Sequence, residues 1–76
     1  MTITTTVHPC SMNHQRAAWA DAAVLTFMQE TGTDVEDVLG DLLCDLMHWA
    51  ARDGHDFEFA LARAADHFTM EVIEDA

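Results

Sequence analysis

The sequence predicts an all-α protein, a small three-helix domain that follows a flexible N-terminal arm. Apolar residues recur at helical spacing in three segments, and Gly32 and Gly54 separate these segments as left-handed stops. The length of 76 residues allows one domain. Because a chain this short buries only about 60% of the surface that its unfolded form exposes, we expect a thin core.

Residues 1–10 are interpreted as the flexible arm, because they are rich in threonine and interrupted by a proline. The three-helix domain is therefore expected to span 11–76. Its first helix begins with Ser11 as the N-cap and continues through an alanine-rich stretch to Glu30. The residues of this helix that are expected to face the core are Trp19, Ala20, Ala23, Val24, Phe27 and Met28.

The second helix is predicted from Thr33 to Gly54. Thr33 and Glu36 form the T-x-x-E pattern of a capping box, in which each side chain accepts a hydrogen bond from a backbone N–H at the helix start. The apolar residues of this segment cover a broad arc, so this helix is expected to lie centrally and to touch both others. They are Val35, Val38, Leu39, Leu42, Leu43, Leu46, Trp49 and Ala50.

The third helix is predicted to begin after Asp56, whose carboxylate is a suitable N-cap, and to continue toward the C-terminus. Its core stripe consists of Phe57, Ala60, Leu61, Ala64, Ala65, Phe68 and Val72. Together the three stripes predict one small hydrophobic core.

Charge narrows the classes of partner. Fourteen carboxylates against three arginines and no lysine give a formal net charge of −11. Phosphate backbones and anionic membranes repel such a chain, so neither direct nucleic-acid binding nor membrane binding is expected. The expected partner is a protein with a basic surface, and the oligomeric state stays open. Solubility is an alternative explanation of the same charge.

The sequence favours a cytoplasmic protein without a cofactor. It has no run of 18 apolar residues, and its first residues lack the features of a secretion signal. Cys10 and Cys44 form no C-x-x-C pair, so both are expected to be free thiols. There is no glycine-rich phosphate loop and no nucleophile signature, so no catalytic residue is assigned. His8, Cys10 and His14 lack a fourth ligand for zinc, and no metal site is assigned to them.

An acidic row follows the polar face of the second helix. Asp37, Asp41 and Asp45 recur every four residues, and His48 and Arg52 extend the same row. Like charges at this spacing cost a few tenths of a kcal/mol per pair. Three interpretations stay open: a solvated helix face, a stripe that meets arginine or lysine on a partner, and a divalent-metal site formed by Asp41, Asp45 and His48.

Further apolar residues lie on the side of the third helix opposite its core stripe. They are Phe59, Ala62, Met70 and Ile73. Exposed aromatic residues and methionines beside acidic groups favour a protein interface. The residues assigned to protein binding are therefore Asp37, Asp41, Asp45, His48, Phe59 and Met70.

The stretch EDVLGDLLCDLMHWAARDGHDFEFALARAADHF, residues 36–68, resembles the second half of MazG-type all-α nucleoside-triphosphate pyrophosphohydrolases. In that family an E-x-x-D on one helix and an E-E-x-x-E on the preceding helix hold Mg²⁺. Asp41 matches the aspartate of the pair, whereas Val38 stands at the glutamate position and the first helix has no E-E-x-x-E. This resemblance implies, as the alternative function, a degenerate nucleotide pyrophosphohydrolase.

The segments LLCDLMHWA and DFEFALARAADHF resemble the QseM-like family of small acidic antiactivators from proteobacterial conjugative elements. This resemblance extends over the whole helical region. It implies a protein without enzymatic activity that binds transcriptional activators of element transfer and blocks them stoichiometrically. The activators implied are a quorum-sensing regulator of the LuxR type and one with a helix-turn-helix-like domain.

Overall fold

The computed structural model describes residues 9–75, with side chains within 12–74, and it contains three α-helices. They are α1 (Pro9–Thr31), α2 (Val38–Asp53) and α3 (Phe57–Asp75). The predicted all-α, three-helix architecture is therefore confirmed. Most of the predicted arm lies outside the described residues. None of the three helices combines the length and the apolar composition that a bilayer crossing requires.

Helix α1 begins earlier than predicted. Its first residue is Pro9, so Ser11 lies inside the helix and the assignment of Ser11 as N-cap is wrong. Proline suits a first turn because the N–H that it lacks has no partner there in any case. The helix ends at Thr31, where Gly32 has a φ of +76° and donates its N–H to the Met28 carbonyl at 2.8 Å. The left-handed stop is confirmed.

Helix α2 begins later than predicted, and the capping box is not formed. A turn at residues 35–37 separates Thr33 and Glu36 from the helix. The N-cap residue is Asp37, which makes no side-chain capping hydrogen bond. The Thr33 hydroxyl instead donates to the Asp41 carboxylate at 3.2 Å. Because the helix starts after this turn, Asp41 lies in its first turn, where the positive end of the helix dipole favours a carboxylate.

The connection between α2 and α3 follows the predicted local signals. Gly54 ends α2 with a φ of +77°, and the next residue, His55, donates its N–H to the Ala50 carbonyl at 2.8 Å. Asp56 then caps α3, because its Oδ1 accepts a hydrogen bond from the Phe59 N–H at 2.9 Å. Two short-range hydrogen bonds therefore fix the corner between the two helices.

The first turns of α1 lie against the last turns of α3. The Asn13 side-chain amide donates to the backbone carbonyl of Glu71 at 3.1 Å, and Arg16 donates to Asn13 Oδ1 at 2.7 Å. The Arg16 Nε also lies 3.5 Å from Glu71 Oε2. This polar contact joins the two ends of the described chain.

The core is much smaller than the three stripes predict. Among the described residues, Val38 and Ala50 are the only buried hydrophobic ones, at 7% and 3% exposure. Several residues predicted for the core are more than half exposed: Trp19, Val35, Leu39, Leu61 and Phe68. Others are half-buried as expected, namely Val24, Phe27, Met28, Leu42 and Phe57. The three helices contact one another pairwise, but only a narrow strip of each faces inward.

Candidate protein-binding surface

The acidic row, Asp37, Asp41, Asp45 and His48, is exposed along its whole length. At about 100° per residue, Asp41 and Asp45 project within about 60° of the buried Val38, so the row follows the exposed edge of the inward-facing side of α2. Asp41 accepts the hydrogen bond from Thr33, and the described residues provide no other hydrogen bond to the side chains of the row. The carboxylates therefore point into solvent and are open to a partner.

No arginine neutralises this row. Each of the three arginines has a different partner: Arg16 pairs with Glu71, Arg52 pairs with Asp53, and Arg63 lies 5.8 Å from the centroid of the Phe59 ring. Within the described residues no ion pair reaches Asp37, Asp41 or Asp45. The attraction of the row for an external cation is therefore not offset by a cation of this chain.

The metal interpretation of the row is not supported. Among residues 12–74, no three histidine, cysteine, aspartate or glutamate side chains converge as ligands. Asp41, Asp45 and His48 follow one another along the helix instead of surrounding a common point. Of the N-terminal candidates, His8 and the Cys10 side chain lie outside the described residues.

Phe59 and Met70 are exposed on the outer side of α3, at 62% and 55%. Ile73 lies on the same side and is also exposed. The Arg63 guanidinium covers part of the Phe59 ring, at a distance typical of a cation–π contact. No described hydrogen bond or ion pair joins these residues to the acidic row, so the structure presents two separate candidate surfaces.

A third feature, which sequence reasoning missed, is an apolar cavity at the corner between α2 and α3. We call it the corner cavity. Its volume is about 210 Å³. Its walls include Leu46, Trp49 and Ala50 from α2, His55 from the connection, and Phe57 and Ala60 from α3. Periodicity placed Trp49 in the core, whereas this residue is 47% exposed and lines the cavity.

Trp49 and His55 form one wall of the corner cavity. Their ring centroids are 4.7 Å apart and their planes differ by 11°, so the rings stack. The left-handed Gly54 turns the chain back over the last turn of α2 and places His55 beside Trp49. A glycine stop followed at once by a ring-bearing residue was the sequence signal for this wall.

Beside the cavity, Arg52 and Asp53 form a two-pronged ion pair. The Arg52 Nε and Nη2 donate to the two carboxylate oxygens of Asp53 at 2.8 and 3.1 Å. This hydrogen bonding holds the pKa of Asp53 below its ordinary value, and the nearby His55 lowers it slightly further. The same contact raises the pKa of Arg52. Both groups stay charged at neutral pH.

A second cavity, of about 320 Å³, lies between α1 and α3. Phe68 and Val72 contribute apolar walls, but Arg16 and Glu71 also line it and form an ion pair there. Their charges already have partners on this chain. The corner cavity is therefore the more suitable place for an apolar group from outside.

Val38 bears on the resemblance to nucleotide pyrophosphohydrolases. It stands at the glutamate position of that family's E-x-x-D pattern, and it is one of the two buried hydrophobic residues among those described. This position is used for packing instead of ligation. Asp41, the matching aspartate, lies exposed in the next turn.

Comparison with protein families, with curated proteins and with solved structures yields no match for this chain.

Proposed function

We propose that this protein is a cytoplasmic antiactivator, which binds transcriptional activators and blocks them without catalysis. Two observations among the described residues carry the protein-binding part of this proposal: large apolar side chains are exposed, and the carboxylates of the acidic row have no ion pair. The choice of activators rests on the resemblance of α2 and α3 to QseM-like antiactivators. The targets proposed are LuxR-type quorum-sensing and helix-turn-helix-like activators that control transfer of a conjugative element.

The exposed apolar surface supports a binding role. Large hydrophobic residues are exposed on all three helices, and only two hydrophobic residues among those described are buried. Contiguous apolar surface beyond a few hundred Å² is uncommon on a protein that acts alone. A partner that covers part of this surface would supply burial that the three helices do not supply to one another.

The charge distribution supports a basic partner. Proteins that bind DNA carry arginine and lysine on the surface that meets the phosphates. The carboxylates of the acidic row can bind the basic surface of an activator in place of DNA phosphates. The net charge of −11 increases the rate at which this chain and a basic activator associate. An activator held in this way loses access to its promoter.

The burial of Val38 argues against the alternative function. Magnesium-assisted hydrolysis requires several converging carboxylates, and Asp41 is the one ligand position that this chain retains from the family pattern. No observation among the described residues favours a nucleotide pyrophosphohydrolase.

A promoter reporter tests the proposal. The full chain is expressed at increasing dosage together with each LuxR-type or helix-turn-helix-like activator of its host. We expect reporter output to fall as the chain approaches equimolarity with its activator and to recover when more activator is supplied. Unchanged output with every activator would overturn the proposal, and so would magnesium-dependent pyrophosphate release from a nucleoside triphosphate by the purified chain.

Charge variants connect the reporter result to the acidic row. The double variant Asp41→Asn and Asp45→Asn is expected to weaken both binding and repression. The matched control carries Asp21→Asn and Glu30→Gln, which remove the same charge from exposed positions of α1. Equal repression by both double variants would show that the row is only a solvated face.

A further inference from the structure

The size of the corner cavity points to a single side chain as its occupant. Pockets for small molecules and cofactors measure about 300–1,000 Å³, whereas an apolar cavity of about 150 Å³ accepts a benzene ring. At about 210 Å³, the corner cavity is too small for a typical cofactor. It has room for one aromatic or large aliphatic side chain.

The chemistry of the walls also favours an apolar occupant. Leu46, Phe57 and Ala60 supply only carbon atoms, and the stacked rings of Trp49 and His55 supply a flat wall. Tryptophan is enriched among the residues that contribute most to binding at protein interfaces. An apolar side chain entering here would lose its contact with water and gain contacts on several sides.

The rim of the cavity carries net negative charge, because Arg52 beside it is paired with Asp53. Asp56 lies at the cavity, and Asp45 precedes Trp49 by one helical turn on the same side of α2. Asp45 has no cationic partner among the described residues. An apolar side chain flanked by lysine or arginine therefore complements the site. A second copy of this chain, with its own net charge of −11, would bring like charges together.

We propose that the corner cavity receives one apolar anchor residue of the partner protein, flanked there by lysine or arginine. This inference rests on the proposed function, because it takes protein binding as given and names the anchor site and the chemistry of the partner. The anchor supplies affinity through burial, and the flanking basic residues select the partner through the acidic rim.

Three synthetic peptides test the inference against the full-length chain. The first is an amphipathic helix of leucine and lysine. The second keeps its length and charge but has alanine at the apolar positions, and the third replaces lysine with glutamate. We expect the alanine peptide to bind at least about tenfold more weakly than the first, because it lacks the large apolar side chain that the cavity would bury. The glutamate peptide is expected not to bind.

The two tryptophans report where the peptide binds. Trp49 lines the corner cavity, whereas Trp19 is exposed on α1. The variant Trp19→Phe assigns the two indole N–H resonances in a ¹H–¹⁵N spectrum. We expect the leucine peptide to shift the Trp49 resonance and to leave that of Trp19 in place.

A cavity-filling variant provides the matched test on the protein. Ala60→Leu enlarges a side chain in the cavity wall, and Ala51→Leu makes the same change at an exposed position of α2 outside the cavity. We expect Ala60→Leu to lower affinity for the leucine peptide about tenfold and Ala51→Leu to leave it unchanged. The comparison of the three peptides needs no protein variant, so it stays informative if Ala60→Leu does not fold.

Several outcomes would overturn the inference. The first is equal affinity of the protein for the leucine and alanine peptides. The second is equal affinity of the Ala60→Leu and Ala51→Leu variants for the leucine peptide. The third is a peptide-induced shift of the Trp19 resonance in place of the Trp49 resonance. If the Trp49 indole resonance shifted with protein concentration in the absence of peptide, the cavity would be assigned to a second copy of the chain. If Ala60→Leu still represses the reporter fully, the anchor site is wrong and the proposed function stands. If no activator is repressed, the proposed function fails whatever the peptides do.

Discussion

Trp49 and His55 stack face to face, with ring centroids 4.7 Å apart, although one ring belongs to α2 and the other to the connection that follows it. Two local features hold them together: the left-handed Gly54 and the hydrogen bond from the His55 N–H to the Ala50 carbonyl. Because both are encoded within six residues of sequence, the wall of the corner cavity exists before a partner arrives.

Gly54 is expected to be required for this arrangement. Gly54→Ala should destabilise the fold by about 1 kcal/mol, because alanine disfavours a positive φ, whereas a Cβ at this position meets no atom within 4 Å. Gly40→Ala is the matched control, because Gly40 is helical and equally free of neighbours. We expect that variant to stabilise by about 0.5–1 kcal/mol. Urea unfolding measures the free energy of unfolding of both variants. If both substitutions changed it in the same direction, this explanation would be contradicted.

The capping of α3 by Asp56 gives a second test. Asp56→Ala removes the acceptor of the Phe59 N–H and should cost about 1 kcal/mol of stability. Asp66→Ala removes the same kind of side chain from an exposed position within α3 and should cost much less. Thermal unfolding followed by circular dichroism separates the two variants. Equal losses would mean that the hydrogen bond of Asp56 contributes nothing specific.

The Arg52–Asp53 pair sets a specific pH dependence. Because the folded-state pKa of Asp53 is lowered, its contribution to stability is present above the ordinary carboxyl pKa and is lost as pH falls through the lowered value. Arg52→Gln should therefore raise the pKa of Asp53, as measured by NMR titration of its carboxyl carbon. Arg63→Gln is the control, because Arg63 lies over Phe59, and it should leave that pKa in place.

The two central carboxylates of the acidic row should differ in their effect on stability. Asp41→Asn is expected to cost about 0.5 kcal/mol, because Asp41 lies in the first turn of α2 and accepts a hydrogen bond from Thr33. Asp45→Asn should be neutral or slightly stabilising, since it removes a like-charge contact one turn away. Chemical denaturation of the two single variants tests this difference, and the reverse order would contradict it.

Added salt should weaken binding to the activator if charge steers the encounter. Exposed charges are screened over about 8 Å at physiological ionic strength, so the association rate should fall as salt rises. The dissociation rate should change much less, because the apolar anchor controls it. Stopped-flow mixing of the chain with its activator at several salt concentrations measures both rates. A salt-independent association rate would remove the role of the acidic row.

Local signals in the sequence were enough to predict the three helices, the C-terminal ends of α1 and α2, and the start of α3. Gly32, Gly54 and Asp56 act within a few residues of themselves, so their roles follow from residue type and position. The start of α2 was mispredicted because the turn at 35–37 takes the place of the T-x-x-E box of Thr33. Nothing in the box pattern alone distinguishes the two outcomes.

The extent of the core was not predictable in the same way. Periodicity shows that Phe68 and Val72 share a face of α3, but it does not show how much of that face a neighbouring helix covers. Phe68 and Trp19 remain mostly exposed because the three helices meet along narrow strips. The corner cavity depends on how α2 and α3 diverge after Gly54, which no periodic pattern encodes. The acidic row was predictable, because residues four apart lie on one side of any helix and charged side chains stay exposed to solvent.

The burial of only Val38 and Ala50 among the described residues has a consequence for the lifetime of the free chain. Segments with few buried contacts open readily, so their amide hydrogens exchange quickly and proteases gain access to the backbone. A ligand that binds only the folded state suppresses such opening in proportion to its concentration. Degradation of this chain in the cell is therefore expected to slow as its partner accumulates, so that the supply of inhibitor follows the supply of its target.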